Sequence, residues 1–132
     1  MLTKILAVIL LATIAMPSSS MSYRLQVNVS NQLSRGRKIT VRCESKDDDL
    51  GSRRLVAGDV YSWSFSRNIF GTTLFWCDVS TARGKKHLSF NAYDESQRKK
   101  GMPKLHELTW EIKDDGLYFA GFPMSIAPWV SQ

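Results

Sequence analysis

Hydrophobic and polar positions alternate along most of this chain. Between residues 23 and 29 polar side chains separate Leu25, Val27 and Val29, and residues 60–65 repeat the same two-residue period. Turn-forming residues stand between the alternating runs. The pattern predicts eight short strands, at 23–29, 38–44, 55–56, 60–65, 72–79, 86–93, 108–113 and 117–119. Because no segment beyond residue 20 has a helical period, we expect an all-β fold, a sandwich of about eight short antiparallel strands.

The first twenty residues do not follow this alternation. Lys4 precedes an unbroken apolar run at 5–15, which is shorter than the roughly 20 residues that a transmembrane helix needs. Small residues at Ser18 and Ser20 suit cleavage by signal peptidase. The sequence therefore predicts a signal peptide at 1–20 and one secreted, extracellular domain at 21–132.

The charge balance limits the partners that we expect. The formal net charge is +6, and loss of Lys4 with the signal peptide leaves +5. Such a domain favours acidic partners, which outside a cell are pectin-like polysaccharides, anionic lipid headgroups or acidic receptor loops. We expect no nucleic acid as partner and, since no second long apolar stretch occurs, no stable membrane insertion. We expect a monomer.

Two cysteines, Cys43 and Cys77, fall in the predicted domain. Strand alternation places each on the apolar face of its strand, so both sulfur atoms point toward the core. In a secreted chain this predicts one buried intrachain disulfide, and the chain-entropy model gives about 4 kcal/mol of stabilisation for a loop of this size. A bond between two molecules remains the alternative.

The chemistry of an enzyme has little support in the sequence. His87 and His106 have no recognisable partner for proton transfer or metal binding, and no nucleophile, phosphate-binding or dinucleotide-binding motif occurs. The acidic run at 47–49 lacks the spacing of a calcium loop and is typical of a capped turn. We therefore expect no enzyme, no catalytic residue, no metal site and no cofactor.

A candidate modification site lies on the first strand. Asn28-Val29-Ser30 is an N-glycosylation sequon, and Asn28 falls on the polar face of the predicted strand. Its use would make the protein a glycoprotein.

Basic residues cluster in predicted loops. Because successive antiparallel strands reverse direction, two loops separated by four strands lie at the same end of a sandwich, provided that the Leu55 piece is a strand. The count predicts a docking surface made of Arg35, Arg37, Lys38, Arg83, Lys85 and Lys86. It places the run at 47–49 at the opposite end, together with Arg53, Arg54, Arg98, Lys99 and Lys100. Ordinary surface charge that keeps the domain soluble is the alternative.

Four sequence blocks are more specific than this pattern. They are VRCESKDDDLG at 41–51, YSWSF at 61–65, FGTTLFWC at 70–77 and WEIKDDGLY at 110–118. In this order they resemble the plant self-incompatibility protein family, the S-protein homologues, over nearly the whole predicted domain. Within the blocks, Trp63, Phe75 and Trp110 are expected to be core anchors.

One departure from the family concerns cysteine. Many members carry Cys-x-x-Cys-x-Trp before the last hairpin, where this chain has Leu105 and Leu108 before Trp110. If those two cysteines bond to each other, their joint loss leaves no unpaired thiol. If the family pairs its cysteines crosswise, the bond between Cys43 and Cys77 fails.

The resemblance implies a secreted β-sandwich whose best-known members are pistil ligands for a pollen membrane protein. We therefore expect a non-enzymatic signalling ligand that acts in cell-to-cell communication, including reproductive communication, through a cell-surface receptor. The alternative is an extracellular binding module for acidic wall polysaccharide or anionic lipid, with a role in defence.

Overall fold

The computed structural model of the chain describes residues 24–67, 70–99 and 106–131. The predicted signal peptide at 1–20 and its cleavage point lie outside these ranges. Nine strands are present in the described ranges: β1 (Arg24–Asn31), β2 (Ile39–Ser45), β3 (Asp49–Leu55), β4 (Val60–Ser66), β5 (Leu74–Thr81), β6 (Lys86–Asp94), β7 (Glu107–Lys113), β8 (Gly116–Phe119) and β9 (Val130–Ser131). A short helix, α1 (Glu95–Lys99), follows β6.

The strands form two sheets. The four-stranded sheet has the order β4-β1-β7-β8, and the five-stranded sheet has the order β3-β2-β5-β6-β9. The apolar faces of the two sheets pack against each other, as the ring contact of Phe65 on β4 with Phe75 on β5 shows, with centroids 4.6 Å apart. The predicted all-β sandwich is confirmed.

The expectation of purely antiparallel pairing is wrong at one place. β1 pairs with β4 in antiparallel fashion and with β7 in parallel fashion. The chain reverses direction after each strand, so that β1 and β7, which are separated by six reversals, run the same way. The parallel pair is therefore a consequence of the alternation that the sequence predicts.

Three elements differ from the sequence prediction. The Leu55 piece is the end of a full strand, β3, which begins at Asp49 and pairs along β2. The short helix α1 and the two-residue strand β9 are not predicted at all. A helix of five residues is too short to display a helical period, and β9 is too short to display an alternating one.

The core is built from the inner faces of both sheets. It includes Val27 on β1, Val41 on β2 and Ile112 on β7, each of which is fully buried. Phe75 and Trp110 are buried as expected, and the Trp110 Nε1 donates to the carbonyl of Ala92 at 3.0 Å. Trp63 is only partly buried, although Tyr61 and Phe65 on the same face of β4 are buried.

The C-terminal segment connects the two sheets. The Leu117 amide on β8 donates to the Ala127 carbonyl at 2.8 Å, and β9 then pairs with β6 of the other sheet. The Trp129 Nε1 donates to the Lys113 carbonyl at 2.9 Å. This segment therefore closes one side of the sandwich. In the described part of the chain, no helix has the length and apolar character required to cross a membrane.

Candidate functional site

Two basic loops meet at one end of the sandwich, which we call the basic end. The first connects β1 to β2 and the second connects β5 to β6. They are neighbours because β2 and β5 are adjacent, with Ile39 opposite Thr81 at this end of the ladder. A groove of about 410 Å³ lies between them, lined by Gly36, Arg37, Lys38, Thr81, Lys85 and Lys86. The predicted meeting of the two loops is confirmed.

Both loops turn through left-handed backbone. Arg35 and Gly36 have φ of 60° and 63°, and Arg83 and Gly84 have φ of 73° and 64°. Glycine adopts this region freely, whereas an L-residue with a Cβ atom loses about 1 kcal/mol there. In the described ranges, Arg35 and Arg83 are the two non-glycine residues with positive φ.

Arg37 differs from the other predicted docking residues because it has an acidic partner. Its guanidinium donates to the Asp114 carboxylate, which also accepts from the Ser34 hydroxyl at 2.6 Å and the Ser34 amide at 2.9 Å. The bonds from Ser34, followed by the charge and hydrogen bond of Arg37, lower the pKa of Asp114 below its ordinary value. Arg37 therefore holds the loop in place, and its charge is largely compensated.

The other five predicted docking residues are exposed. Within the described part of the chain, none of them forms an ion pair: Arg35, Lys38, Arg83, Lys85 and Lys86. Two further carboxylates lie at this end and keep their charge: Asp59 accepts from the Val56 amide and Asp115 accepts from the Tyr118 hydroxyl. The six basic residues outnumber these two and Asp114, so the basic end carries net positive charge.

Sequence reasoning missed the part that Asp114 plays. The strand count that brings the two basic loops together also places the turn between β7 and β8 at this end, because six strands separate it from the first loop. The Asp114-Asp115-Gly116 turn was a signal that could have been combined with that count. It would have identified an acidic group beside Arg37.

The prediction that Arg53 and Arg54 lie at the opposite end, beside the acidic run, is wrong. β3 runs from Asp49 toward the basic end, so that Arg54 lies opposite Thr40, next to the first residue of β2. Arg53 lies over the ring of Tyr61, 5.7 Å from its centroid. The side chains of residues 98 and 99, on α1, and residue 100 lie outside the described part of the structure.

The acidic run closes the hairpin between β2 and β3. The Ser45 amide donates to the Asp48 carbonyl at 2.7 Å, and the Asp48 amide donates to the Ser45 hydroxyl at 3.1 Å. Asp49 accepts from Arg42 at 2.7 Å and from the Gly51 amide at 2.9 Å, and both bonds lower the pKa of Asp49. In the residues that the structure describes, no three potential metal-ligating side chains cluster.

A second cavity, of about 520 Å³, opens beside this acidic hairpin. Its walls are the hairpin itself, the end of β4 and the start of β5, with Phe65 and Phe75 among the lining residues. Its charged groups are Lys46, Asp47 and Asp48. It is separate from the basic end and lies at the other end of the sandwich.

The disulfide joins neighbouring strands of one sheet. Cys43 on β2 and Cys77 on β5 stand directly opposite each other, with their Cα atoms 4.1 Å apart, and both are fully buried. The predicted intrachain bond is present, and the chain has no free cysteine. The bond therefore reinforces the five-stranded sheet and does not connect it to the other one.

Asn28 lies on the outer face of the four-stranded sheet but is only 7% exposed. Its Nδ2 donates to Glu107 at 2.8 Å and to Thr109 at 3.0 Å. Its Oδ1 accepts from Gln26 at 2.9 Å and from Ser62 at 2.7 Å. Glycosylation of Asn28 stays a prediction, and this packing weighs against it, because a sugar on Nδ2 would displace at least one of these bonds.

Comparison with known proteins gives the family. The family model described as plant self-incompatibility protein S1 matches residues 26–129. The chain belongs to this family. Self-incompatibility protein S1 of Papaver rhoeas is 33% identical over 122 residues, which cover 92% of this chain and 85% of the relative. The resemblance noted in the sequence is confirmed.

Two relatives from Arabidopsis thaliana have a similar sequence identity to this chain. S-protein homolog 12 is 36% identical over 114 residues, which cover 86% of this chain and 71% of that protein. S-protein homolog 74 is 34% identical over 93 residues, which cover 70% of this chain and 60% of that protein. The match thus spans less than two thirds of the length of homolog 74.

A solved structure shares the fold. It is that of a self-incompatibility protein homologue, from a family described as small, highly stable, secreted plant proteins. It superposes with a TM-score of 0.66 at 18% identity and covers 85% of this chain and 99% of that chain. The fold and the family together make this chain a secreted plant protein of the S-protein homologue type.

Proposed function

We propose that this S-protein homologue is a non-enzymatic signalling ligand that acts between cells through a cell-surface receptor. The basic end is its docking surface for an acidic region of that receptor. The proposal rests on one observation above all: at one end of the disulfide-bonded sandwich, five exposed cations have no ion-pair partner among the residues that the structure describes. Loops on a rigid scaffold are the usual place for recognition.

Electrostatics define what these cations contribute. Exposed charges around a docking site raise the rate of association with a partner of opposite charge by about 10-fold to 1000-fold, and salt reduces this effect. They contribute less to the lifetime of the complex. We therefore expect the basic end to act mainly on the association rate.

The test compares two triple variants of equal net charge. In the first, the groove lysines Lys38, Lys85 and Lys86 are changed to Gln. In the matched control, Arg24, Lys46 and Arg53, which are also exposed and lie away from the groove, are changed to Gln. Arg37 is left intact because it holds its loop through Asp114.

Binding is measured by surface plasmon resonance on plasma-membrane vesicles from plant cells, at low and at physiological salt. We expect the groove variant to associate about tenfold more slowly at low salt, while the control associates at nearly the rate of the parent. Equal losses in both variants would mean that only net charge matters, and would reject the docking surface.

A further inference from the structure

The two loops of the basic end have nearly the same short sequence, and each has two consecutive residues with positive φ. The first reads Arg-Gly-Arg-Lys at 35–38 and the second Arg-Gly-Lys-Lys at 83–86. In each, the arginine and the glycine both have positive φ, between 60° and 73°. A non-glycine residue held in sparsely populated backbone often marks a functional site. Here the same strain occurs twice, on both sides of one groove.

The topology sets the spacing between the two loops. Lys38 precedes β2 and Lys86 begins β6, and β5 lies between these strands. Neighbouring strands are about 4.8 Å apart, so that β2 and β6 are separated by about 10 Å. Over this distance the backbone amides of the two loops cannot share a single small anion. A chain that carries several negative groups can lie along the groove and contact both.

The side chains that line the groove indicate which kind of polyanionic ligand fits it. Its charged groups are arginine and lysine, and no aromatic or methionine side chain lines it. Of the exposed large apolar side chains, Phe70, Phe122 and Met124 lie in connections that leave the opposite end of the sandwich. The others, Val56, Val60, Ile126 and Val130, lie nearer the basic end but do not line the groove. The groove therefore lacks the apolar anchors of a membrane-binding surface. It also lacks the aromatic centre that gives a protein complex its lifetime, which agrees with a contribution to the receptor's association rate alone. Exposed cations alone suit a flexible, hydrophilic polyanion.

We propose that the two Arg-Gly turns and the groove between them form one binding site for a linear polycarboxylate, a uronic-acid polysaccharide of the kind found outside plant cells. The inference rests on the proposed function in that it uses the same docking surface, and it adds a second acidic partner. Polysaccharide and receptor then compete for the basic end. Recognition depends on the paired turns, and the same charge in another arrangement binds less well.

The experiment measures binding of a fully de-esterified oligogalacturonate of defined length by isothermal titration calorimetry. Its methyl-esterified counterpart, which has the same backbone without the charge, is the ligand control. The first variant changes Lys38, Lys85 and Lys86 to Gln. The second changes Gly36 and Gly84 to Val, which preserves every charge and disrupts both turns, since valine is strongly disfavoured at positive φ. No heavy atom lies within 4 Å of a Cβ at either glycine, so the change acts through the backbone.

The matched control for backbone strain is Gly121→Val. Gly121 has φ of +89° with no atom within 4 Å of a Cβ, and it lies away from the groove. We expect the parent and the Gly121 variant to bind the de-esterified oligomer, and the lysine and double-valine variants to bind at least about tenfold more weakly. The esterified oligomer is expected not to bind. If the double-valine protein does not fold, the single changes Gly36→Ala and Gly84→Ala are compared with Gly121→Ala in the same way.

Three other results would overturn the polysaccharide site, the receptor proposal or both. Unchanged binding by the folded glycine variants would overturn the paired-turn site and leave non-specific charge as the explanation. If the oligomer does not bind but vesicle binding still requires the groove lysines, this inference fails and receptor docking stands. If neither ligand requires those lysines, both proposals fail.

Discussion

Asn28 shows how much of this fold depends on single polar side chains. β1 is a central strand, and neighbours on both sides leave Asn28 almost no exposed surface. Its amide uses both donor hydrogens and accepts two further bonds, so that it links β1 to β4 and β7. A buried polar group that loses its partners costs about 1–3 kcal/mol. The side chain is therefore a structural link between three strands.

We predict that Asn28→Asp destabilises the domain by about 1–3 kcal/mol, because the carboxylate cannot donate to Thr109 and is repelled by Glu107. Urea unfolding of the purified protein measures this.

Ser30→Ala is the matched control, since it removes the glycosylation sequon and leaves the amide intact. We expect its stability to be near that of the parent, and no mass loss when the secreted parent is treated with a glycosidase. A glycan on Asn28 in the folded, secreted protein would contradict this account.

At the scale of elements, the disulfide lies between two strands that the backbone ladder already pairs. β2 and β5 are in register over seven residue pairs, of which Cys43 with Cys77 is one. The bond therefore adds little to the geometry of the native sheet. Its contribution comes mainly from restricting the unfolded chain, for which typical values are about 2–4 kcal/mol.

We predict that the double change Cys43→Ala and Cys77→Ala lowers the unfolding free energy by about 2–4 kcal/mol for the lost bond, plus the cost of the cavity that the two sulfur atoms leave. Denaturant unfolding measures the loss. Reduced parent protein is the control, because it lacks the bond but keeps both sulfur atoms in the core. The difference in unfolding free energy between the reduced parent and the double-alanine variant gives the cost of the cavity. Alanine is used because a serine hydroxyl would have no partner at these fully buried positions. A variant as stable as the oxidised parent would refute this account.

Elements with a clear alternating pattern could be predicted from the sequence, and the others could not. β4 and β7 each present three apolar side chains to one face, so their period is unambiguous. β3 reads DLGSRRL and has a single fully buried residue, so it shows no alternation, and its pairing with β2 determines its structure. The loops of the basic end could be placed by counting strands. The same count places the acidic turn at 114–115 beside Arg37, but which of its two carboxylates pairs with Arg37 could not be predicted, since residue charge alone does not show which ions pair.

At the scale of the whole molecule, the question is what holds the two sheets together. The apolar side chains between them do most of this, and the disulfide does not, because it lies within one sheet. The C-terminal segment makes a backbone connection to both. The Ile126 amide donates to the Leu117 carbonyl at 2.6 Å on one side, and Val130 pairs with His87 on the other. Trp129 stands between these two attachments.

We predict that Trp129→Ala detaches this segment locally and lowers overall stability by about 1–3 kcal/mol. Hydrogen exchange should become faster at the amides of Leu117 and Ile126, which form the attachment to β8. Amides in the ladder between β2 and β5 should keep their protection, because those strands do not depend on the segment.

Trp129→Phe is the matched variant: it keeps most of the ring packing and loses only the bond from Nε1 to the Lys113 carbonyl. It should therefore show a smaller increase in exchange at the same two amides. Equal acceleration at every amide would mean that Trp129 supports the entire core, and no acceleration would mean that the segment is held without it.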